Sequence, residues 1–213
     1  MHLICFPPGW HPYQELFARA LSPYGVTITS GETFSDAPLR SNSDSIAGIN
    51  FHWLEKLWPN DSVWRQLRSL VGVYRYCKLA KKLGKLLIWT VHNHGRHENA
   101  NFWDHRGFAL VAGFCDLIIV HSRYSQEYIR RKFPGRATIV HIPLGNFHGY
   151  YPDTSVLSPK VQRILSSFES NIPICGMVGG VRPYRGHELA IRAVQAMQGR
   201  VQLLIAGYTL DQD

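Results

Sequence analysis

Short apolar runs alternate with amphipathic segments along most of the chain, and this alternation constrains the fold more than any other feature. The clearest run, residues 86–91 (LLIWTV), is almost continuously apolar, as expected of a strand buried on both faces of a sheet. The other runs that we predict to be strands are residues 2–6, 26–29, 45–51, 117–120 and 137–142. Strands that alternate with helices form parallel sheets with helices on both faces. The sequence therefore predicts an α/β fold on a doubly wound parallel sheet.

The longest predicted helix, residues 62–83, is both amphipathic and basic. Its apolar stripe consists of Val63, Leu67, Leu70, Tyr74 and Cys77, spaced as on one face of a helix. Its basic residues, on other faces, are Arg65, Arg68, Arg75, Lys78, Lys81 and Lys82. Aromatic and basic residues together suit a peripheral contact with a membrane surface, and a solvated helix face is the alternative.

A boundary follows residue 150. Residues 143–160 are rich in Gly and Pro, after which the pattern restarts with a strand at 172–178, a Gly179-Gly180 turn, a helix from about 185 to 197 and a strand at 201–206. We therefore predict a first domain over residues 1–150, a linker over 151–170, and one βαβ unit of a second, incomplete domain over 171–213.

The charge of the chain favours an anionic partner. Its 213 residues include 23 Lys and Arg against 15 Asp and Glu, a net charge of +8. No recognised nucleic-acid motif accompanies this charge, so we expect no nucleic-acid partner. No signal peptide is visible and no apolar run reaches the roughly 18 residues of a membrane span. We expect a cytoplasmic protein, with peripheral contact at the inner membrane face as the further option.

Three histidines follow the strand at 86–91, in the stretch HNHGRHE. The spacing of His92, His94 and His97 matches part of the H-x-H-x-D-H signature of dinuclear metal hydrolases. Arg96 stands where that signature has Asp, and a fixed cation cannot ligate a metal. The alternatives are hydrogen bonds around a loop, or one working histidine at a strand end, where ligands of parallel sheets bind.

Four segments resemble the retaining GT-B glycosyltransferases (group 1, family 4-like). They are WTVHN (89–93), IPLGNFHGYYP (142–152), GMVGGVRPYRGHELAIRAV (176–194) and VQLLIAG (201–207). The resemblance implies a Rossmann-like acceptor-side domain followed by the start of a second Rossmann-like domain that binds a nucleotide sugar. Because relatives carry much more of that second domain, we expect this chain to be a truncated form with little transfer activity.

The resemblance also implies site residues. His92 would be catalytic, beside the transferred sugar. The donor diphosphate would be held by Gly179, Gly180, Arg182 and Arg185. On the acceptor side, the resemblance would place Gly9; His52 and Trp53, which follow the third predicted strand, and Glu98 are further acceptor-side candidates from their own positions. The family usually has Lys where Arg185 stands, so the charge is kept and the geometry changes.

The predicted function is therefore transfer of a sugar, with retention, from a nucleotide-diphosphate sugar to a glycan or lipid-linked acceptor, in the biosynthesis of cell-surface polysaccharide or glycolipid. We expect no metal and no cofactor other than the donor. Two alternatives stay open: a metal-dependent hydrolase that uses His92, His94 and His97, and a non-catalytic module that binds a membrane or a protein partner.

Overall fold

The computed structural model describes residues 1–7, 11–31, 39, 45–151 and 157–208. The predicted acceptor-side residue Gly9 lies outside these ranges. The chain divides into two compact units, Met1–Tyr150 and Tyr151–Asp213. Within the described residues, no helix is both long and apolar enough to cross a membrane.

The first unit is built on a parallel sheet, as the sequence predicts. Its strands are β1 (His2–Phe6), β2 (Thr27–Ser30), β3 (Ile46–Phe51), β4 (Leu86–Val91), β5 (Leu117–Val120) and β6 (Thr138–His141). Its helices with described bounds are α1 (Pro12–Leu21), α2 (Val63–Lys82), α3 (Phe102–Phe114) and α4 (Arg123–Lys132). All neighbouring strands are parallel, in the order β2-β1-β3-β4-β5-β6. The predicted fold class is confirmed, and the predicted strand bounds hold to within one residue.

Successive strand residues pack on opposite faces of the sheet, because side chains alternate along a strand. In β4, Leu87 and Trp89 belong to the larger core cluster, which also contains buried residues of α2 and α3. Ile88 belongs to a smaller cluster, against which Phe17 of α1 packs. Helices therefore cover both faces, which makes the sheet doubly wound.

The apolar stripe predicted for α2 is partly wrong. Its buried residues are Gln66, Leu70, Val73, Tyr76, Cys77 and Ala80. Val63 and Tyr74 of the predicted stripe are 54% and 42% exposed. The helix buries the polar Gln66 because this side chain donates to Asp104 Oδ1 (3.1 Å) and accepts from Asn101 Nδ2 (2.9 Å). The buried face therefore keeps Leu70 and Cys77 of the predicted stripe and adds Gln66, whose polar atoms have hydrogen-bond partners.

The strand order places a switch point between β1 and β3. The chain runs from β1 outward to β2, then crosses back to β3 on the other side of β1. Crossovers on opposite faces leave a crevice at the carboxyl ends of the two strands, where ligands of open α/β sheets bind. The residues that follow β1, β3, β4 and β5 are therefore the candidates for a functional site.

The second unit contains one βαβ motif. Its elements are α5 (Pro159–Ser166), β7 (Ile174–Val178), α6 (His187–Ala196) and β8 (Gln202–Ala206). Strands β7 and β8 pair in parallel. The helix predicted to begin near Arg185 begins two residues later, because Gly186 has φ +73°, a left-handed conformation that separates a 3-10 turn (Pro183–Arg185) from α6.

Candidate functional site

Histidine side chains meet at the carboxyl ends of three neighbouring strands. His52, His92 and His121 are the first residues after β3, β4 and β5. His52 Nδ1 and His92 Nε2 lie 3.0 Å apart, within hydrogen-bond distance. The ring of His92 stacks on Trp53, with centroids 4.4 Å apart and planes inclined by 13°. The structure therefore brings together three of the residues predicted from the sequence, His92, His52 and Trp53.

Two further side chains complete this group. Tyr13 of α1 packs edge-on against His92 (centroids 4.8 Å apart) and against His121 (5.1 Å). The His121 ring lies 5.5 Å from that of His92, and its Nδ1 donates to the carbonyl of Ile142 (2.9 Å). We name the group formed by Tyr13, His52, Trp53, His92 and His121 the strand-end cluster.

Burial makes the two hydrogen-bonded histidines poor bases. Desolvation lowers the pKa of His52 to about 3, with a smaller contribution from the neighbouring His92 and other imidazoles. Desolvation likewise lowers the pKa of His92 to about 3, aided by His121 and His11. Both imidazoles are therefore neutral at neutral pH, so they can form hydrogen bonds but carry no charge.

Acid is expected to destabilise the first unit through these two histidines. Their ordinary pKa of 6.5 applies in the unfolded chain, which therefore binds more protons than the folded chain between pH 6.5 and about 3. Stability is fully present above pH 6.5 and falls with pH, by about 2 kcal/mol per histidine at pH 5. Urea unfolding at pH 7 and pH 5 measures this loss. His52→Leu should make the loss of unfolding free energy between pH 7 and pH 5 smaller by roughly 2 kcal/mol, whereas the exposed control His148→Leu should leave it unchanged. An equal loss in the two variants would show that His52 does not contribute to the acid sensitivity.

The three histidines of residues 92–97 do not converge on one point. His94 Nε2 bonds to Ser125 Oγ (2.8 Å), and its ring stacks on Tyr128. His97 Nε2 bonds to Asn93 Oδ1 (3.0 Å). Among the described residues, no group of three or more His, Cys, Asp and Glu side chains is placed to hold a metal ion. The geometry of the described residues thus gives no support to the spacing-based metal hypothesis.

Arg96, which occupies the Asp position of the metal signature, has a structural role. Its Nε donates to Asp104 Oδ1 (3.2 Å), and its Nη2 donates to the carbonyls of Glu55 (2.7 Å) and Trp58 (2.8 Å). Asp104 is 3% exposed and also accepts from Trp58 Nε1 and from the Gln66 amide. This buried network anchors the segment that follows His92 to α2, to α3 and to the turn after β3.

Of the remaining acceptor-side predictions, Gly9 lies outside the described residues. Glu98 is half-buried on the loop after β4. The sequence assigned no role to Tyr13 or His121. For His121 a signal was present, because it follows β5 as His52 follows β3 and His92 follows β4. No signal in the sequence indicated a functional role for Tyr13, because it occupies one of the regularly spaced apolar positions of α1.

In the second unit, the predicted diphosphate residues lie on one tight turn. Gly179 has φ +123°, which favours glycine, and a Cβ there would lie 2.8 Å from Arg185 Nη1. A Cβ on Gly207 would lie 1.8 Å from the Gly179 carbonyl oxygen, so only glycine permits this approach of the two backbones. Gly180 is buried, Arg182 is half-buried and Arg185 is exposed. The Arg185 guanidinium therefore lies directly over the Gly179 backbone.

A cavity of about 580 Å³ opens beside this turn, at the start of α6. Its charged lining residues are Arg182, Glu188 and Arg192. Backbone N–H groups at a helix start and nearby arginines both attract anions. Of the four predicted diphosphate residues, Arg182 lines this cavity, whereas Gly179, Gly180 and Arg185 are not among its lining residues.

Comparison with solved structures identifies the fold. Neither a protein-family model nor a curated protein matches the sequence. The chain is similar to HepE from Anabaena in complex with UDP and glucose, with a TM-score of 0.58 and 15% identity over 99% of this chain and 62% of that one. It is also similar to HepE in complex with UDP-glucose, with a TM-score of 0.57 and 13% identity over 100% of this chain and 62% of that one. The chain thus spans about 62% of the length of these solved chains. At these identities the likeness shows the fold alone, which is Rossmann-like and of the GT-B type.

Proposed function

We propose that the protein is a glycosyltransferase of the retaining, family 4-like class, which moves a hexose from a nucleotide-sugar donor to a glycan or lipid-linked acceptor in cell-surface polysaccharide or glycolipid biosynthesis. The observation that carries the proposal is the likeness over 99% of the chain to a protein solved with UDP and glucose. In this proposal residues 1–150 are the acceptor side and residues 171–213 begin the nucleotide-sugar domain. No metal and no cofactor other than the donor takes part, and the site of action is the cytoplasm.

The turn after β7 supplies the donor side of the proposal. Sugar transfer builds negative charge on the departing diphosphate, and cations that bind this charge most tightly in the transition state lower the barrier. Arg182 and Arg185 are fixed cations on the turn that contains Gly179 and Gly180, and the Arg185 guanidinium lies against Gly179. We assign these four residues to the diphosphate.

The strand-end cluster supplies the sugar side. His92 is held on one face by Trp53 and along its edge by Tyr13, so its ring orientation is fixed before a ligand binds. A fixed imidazole can orient a sugar hydroxyl at no further entropic cost. We assign His92 to the reacting sugar, and His52, Trp53, Glu98 and Gly9 to the surrounding acceptor side.

A donor-turnover assay tests this function. The protein, expressed from its complete reading frame, is incubated with UDP-glucose and with other nucleotide sugars, and release of the nucleotide is measured with cell extract as the acceptor source. Proton NMR of the product then gives the anomeric configuration. We expect nucleotide release with a retained anomer; release from none of the donors would contradict the function, and an inverted anomer would contradict retention alone.

Helix α2 supports a peripheral contact with an anionic membrane. It carries six Lys and Arg residues and no Asp or Glu, while Trp64 and Val71, two turns apart, are 82% and 48% exposed. Basic residues beside exposed aromatic residues suit a lipid interface. Vesicles that contain phosphatidylglycerol should sediment the protein better than phosphatidylcholine vesicles. Trp64→Ser should weaken this binding, whereas Tyr24→Ser, which removes another exposed aromatic ring, should not; equal sedimentation by both lipids would contradict the contact.

A further inference from the structure

The hydrogen bond between His52 and His92 determines which ring nitrogen His92 presents to a ligand. We propose that His52 is a positioning residue, which donates from Nδ1 to His92 Nε2 and so keeps the proton of His92 on Nδ1. His92 then offers one N–H donor to an oxygen of the sugar or acceptor, and it has no free lone pair with which to act as a base. The effect on sugar transfer rests on the proposed function, whereas the tautomer of His92 does not.

The surroundings of His52 assign the direction of the bond. His52 is 1% exposed, and its backbone N–H donates to the carbonyl of Phe6 (2.8 Å). Its second ring nitrogen, Nε2, is buried and has no hydrogen-bond partner among the described residues. If His92 donated to His52, the neutral His52 would carry its proton on Nε2, as a buried N–H with no acceptor. Buried N–H groups of that kind are rare in folded proteins, so His52 is assigned as the donor.

The other contacts of His92 hold its ring in position but do not determine its tautomer. Trp53 covers one ring face and Tyr13 packs against it edge-on, and neither contact selects a nitrogen. The neighbouring imidazoles of His121 and His11 disfavour a second proton on His92. The choice between Nδ1 and Nε2 therefore falls to the bond with His52.

A pair of variants separates the hydrogen bond from the packing. Asn places an amide where His has Nδ1, so His52→Asn can keep the donor, whereas His52→Leu has a similar shape and no donor. Imidazole ¹⁵N NMR at pH 7, assigned through His92→Asn, reports the tautomer of His92 directly. We expect Nδ1–H in the wild type and in His52→Asn, and a shift toward Nε2–H in His52→Leu.

The kinetic readout should follow the tautomer. His52→Leu should lower kcat by roughly 10- to 100-fold at unchanged affinity for UDP, and His52→Asn should recover most of the loss. A wild-type His92 with its proton on Nε2, or an unchanged tautomer in a folded His52→Leu, would overturn the proposal. The wild-type spectrum alone shows which nitrogen of His92 carries the proton, even if the His52 variants do not fold. If the tautomer follows His52 but the wild type transfers no sugar, the proposed function fails and the His52–His92 assignment stands.

Discussion

Asp104→Ala is expected to lower the free energy of unfolding by about 3–5 kcal/mol, the usual cost of removing one partner from a buried ion pair. The carboxylate is 3% exposed and accepts hydrogen bonds from Arg96, Trp58 and Gln66. Its loss leaves a guanidinium and two further N–H donors without this acceptor in the interior. It also removes the capping contact of Asp104 with the backbone of Asn101, at the start of α3.

Urea unfolding followed by circular dichroism measures this loss. The matched control is Asp61→Ala, which breaks an exposed ion pair with Arg65 and should cost well under ~1 kcal/mol. The double variant Asp104→Ala/Arg96→Met should lose less than the sum of the two single variants, because the charges are then removed together. A loss below about 1 kcal/mol for Asp104→Ala would show that the network does not carry the stability assigned to it.

His92→Leu is expected to lower kcat by about 10²-fold or more, with the affinity for UDP unchanged. Leucine preserves the packing against Trp53 and Tyr13 and removes both ring nitrogens, so any sugar contact is lost. His92→Asn places an amide near the position of Nδ1 and should recover part of the rate. The pKa of His92 is about 3, so His92 does not titrate between pH 5 and 8. The pH profiles of kcat for the wild type and for His92→Asn should therefore have the same shape over this range.

Steady-state kinetics of nucleotide release, with UDP binding measured by calorimetry, separates these effects. The comparison variant is His105→Leu, a histidine of α3 that packs near Phe133 and has no contact with the strand-end cluster among the described contacts. An unchanged kcat in His92→Leu would show that His92 does not take part in the reaction. A reduced kcat with equally reduced UDP affinity would instead indicate a general loss of structure.

The parallel sheet could be predicted because its signal is local. The residues of β4 are apolar on both faces, and each strand end is marked by a polar or turn residue, so the bounds follow from short stretches. The buried face of α2 could be predicted only in part, because the partners of the buried Gln66, Asp104 and Asn101, are far along the chain. Hydrophobicity alone places Val63 and Tyr74 inside, and both are exposed.

The positions of single candidate residues at strand ends could be predicted, but the arrangement of their side chains could not. His52 and His92 are both recognisable as strand-end residues, yet they are 40 positions apart, and only the pairing of β3 with β4 brings them within 3.0 Å. Arg96 could be recognised as a residue that cannot ligate a metal, but its hydrogen bond to Asp104 could not be predicted from the sequence. The turn after β7 could be located because Gly179 and Gly180 are adjacent in the sequence; that it binds phosphate stays a prediction.

The assignment of the turn after β7 to the donor diphosphate is tested by titration calorimetry with UDP, GDP and ADP, on the protein expressed from its complete reading frame. We expect the wild type to bind at least one of these nucleotides saturably. Arg182→Gln/Arg185→Gln should bind that nucleotide at least about tenfold more weakly, since charge-assisted bonds to phosphate contribute roughly 1.5–3 kcal/mol each. The control Arg163→Gln/Arg200→Gln, which removes the same charge elsewhere in the second unit, should bind as the wild type does. If the wild type binds none of the three nucleotides, or if the two double variants bind equally well, the turn does not hold the donor.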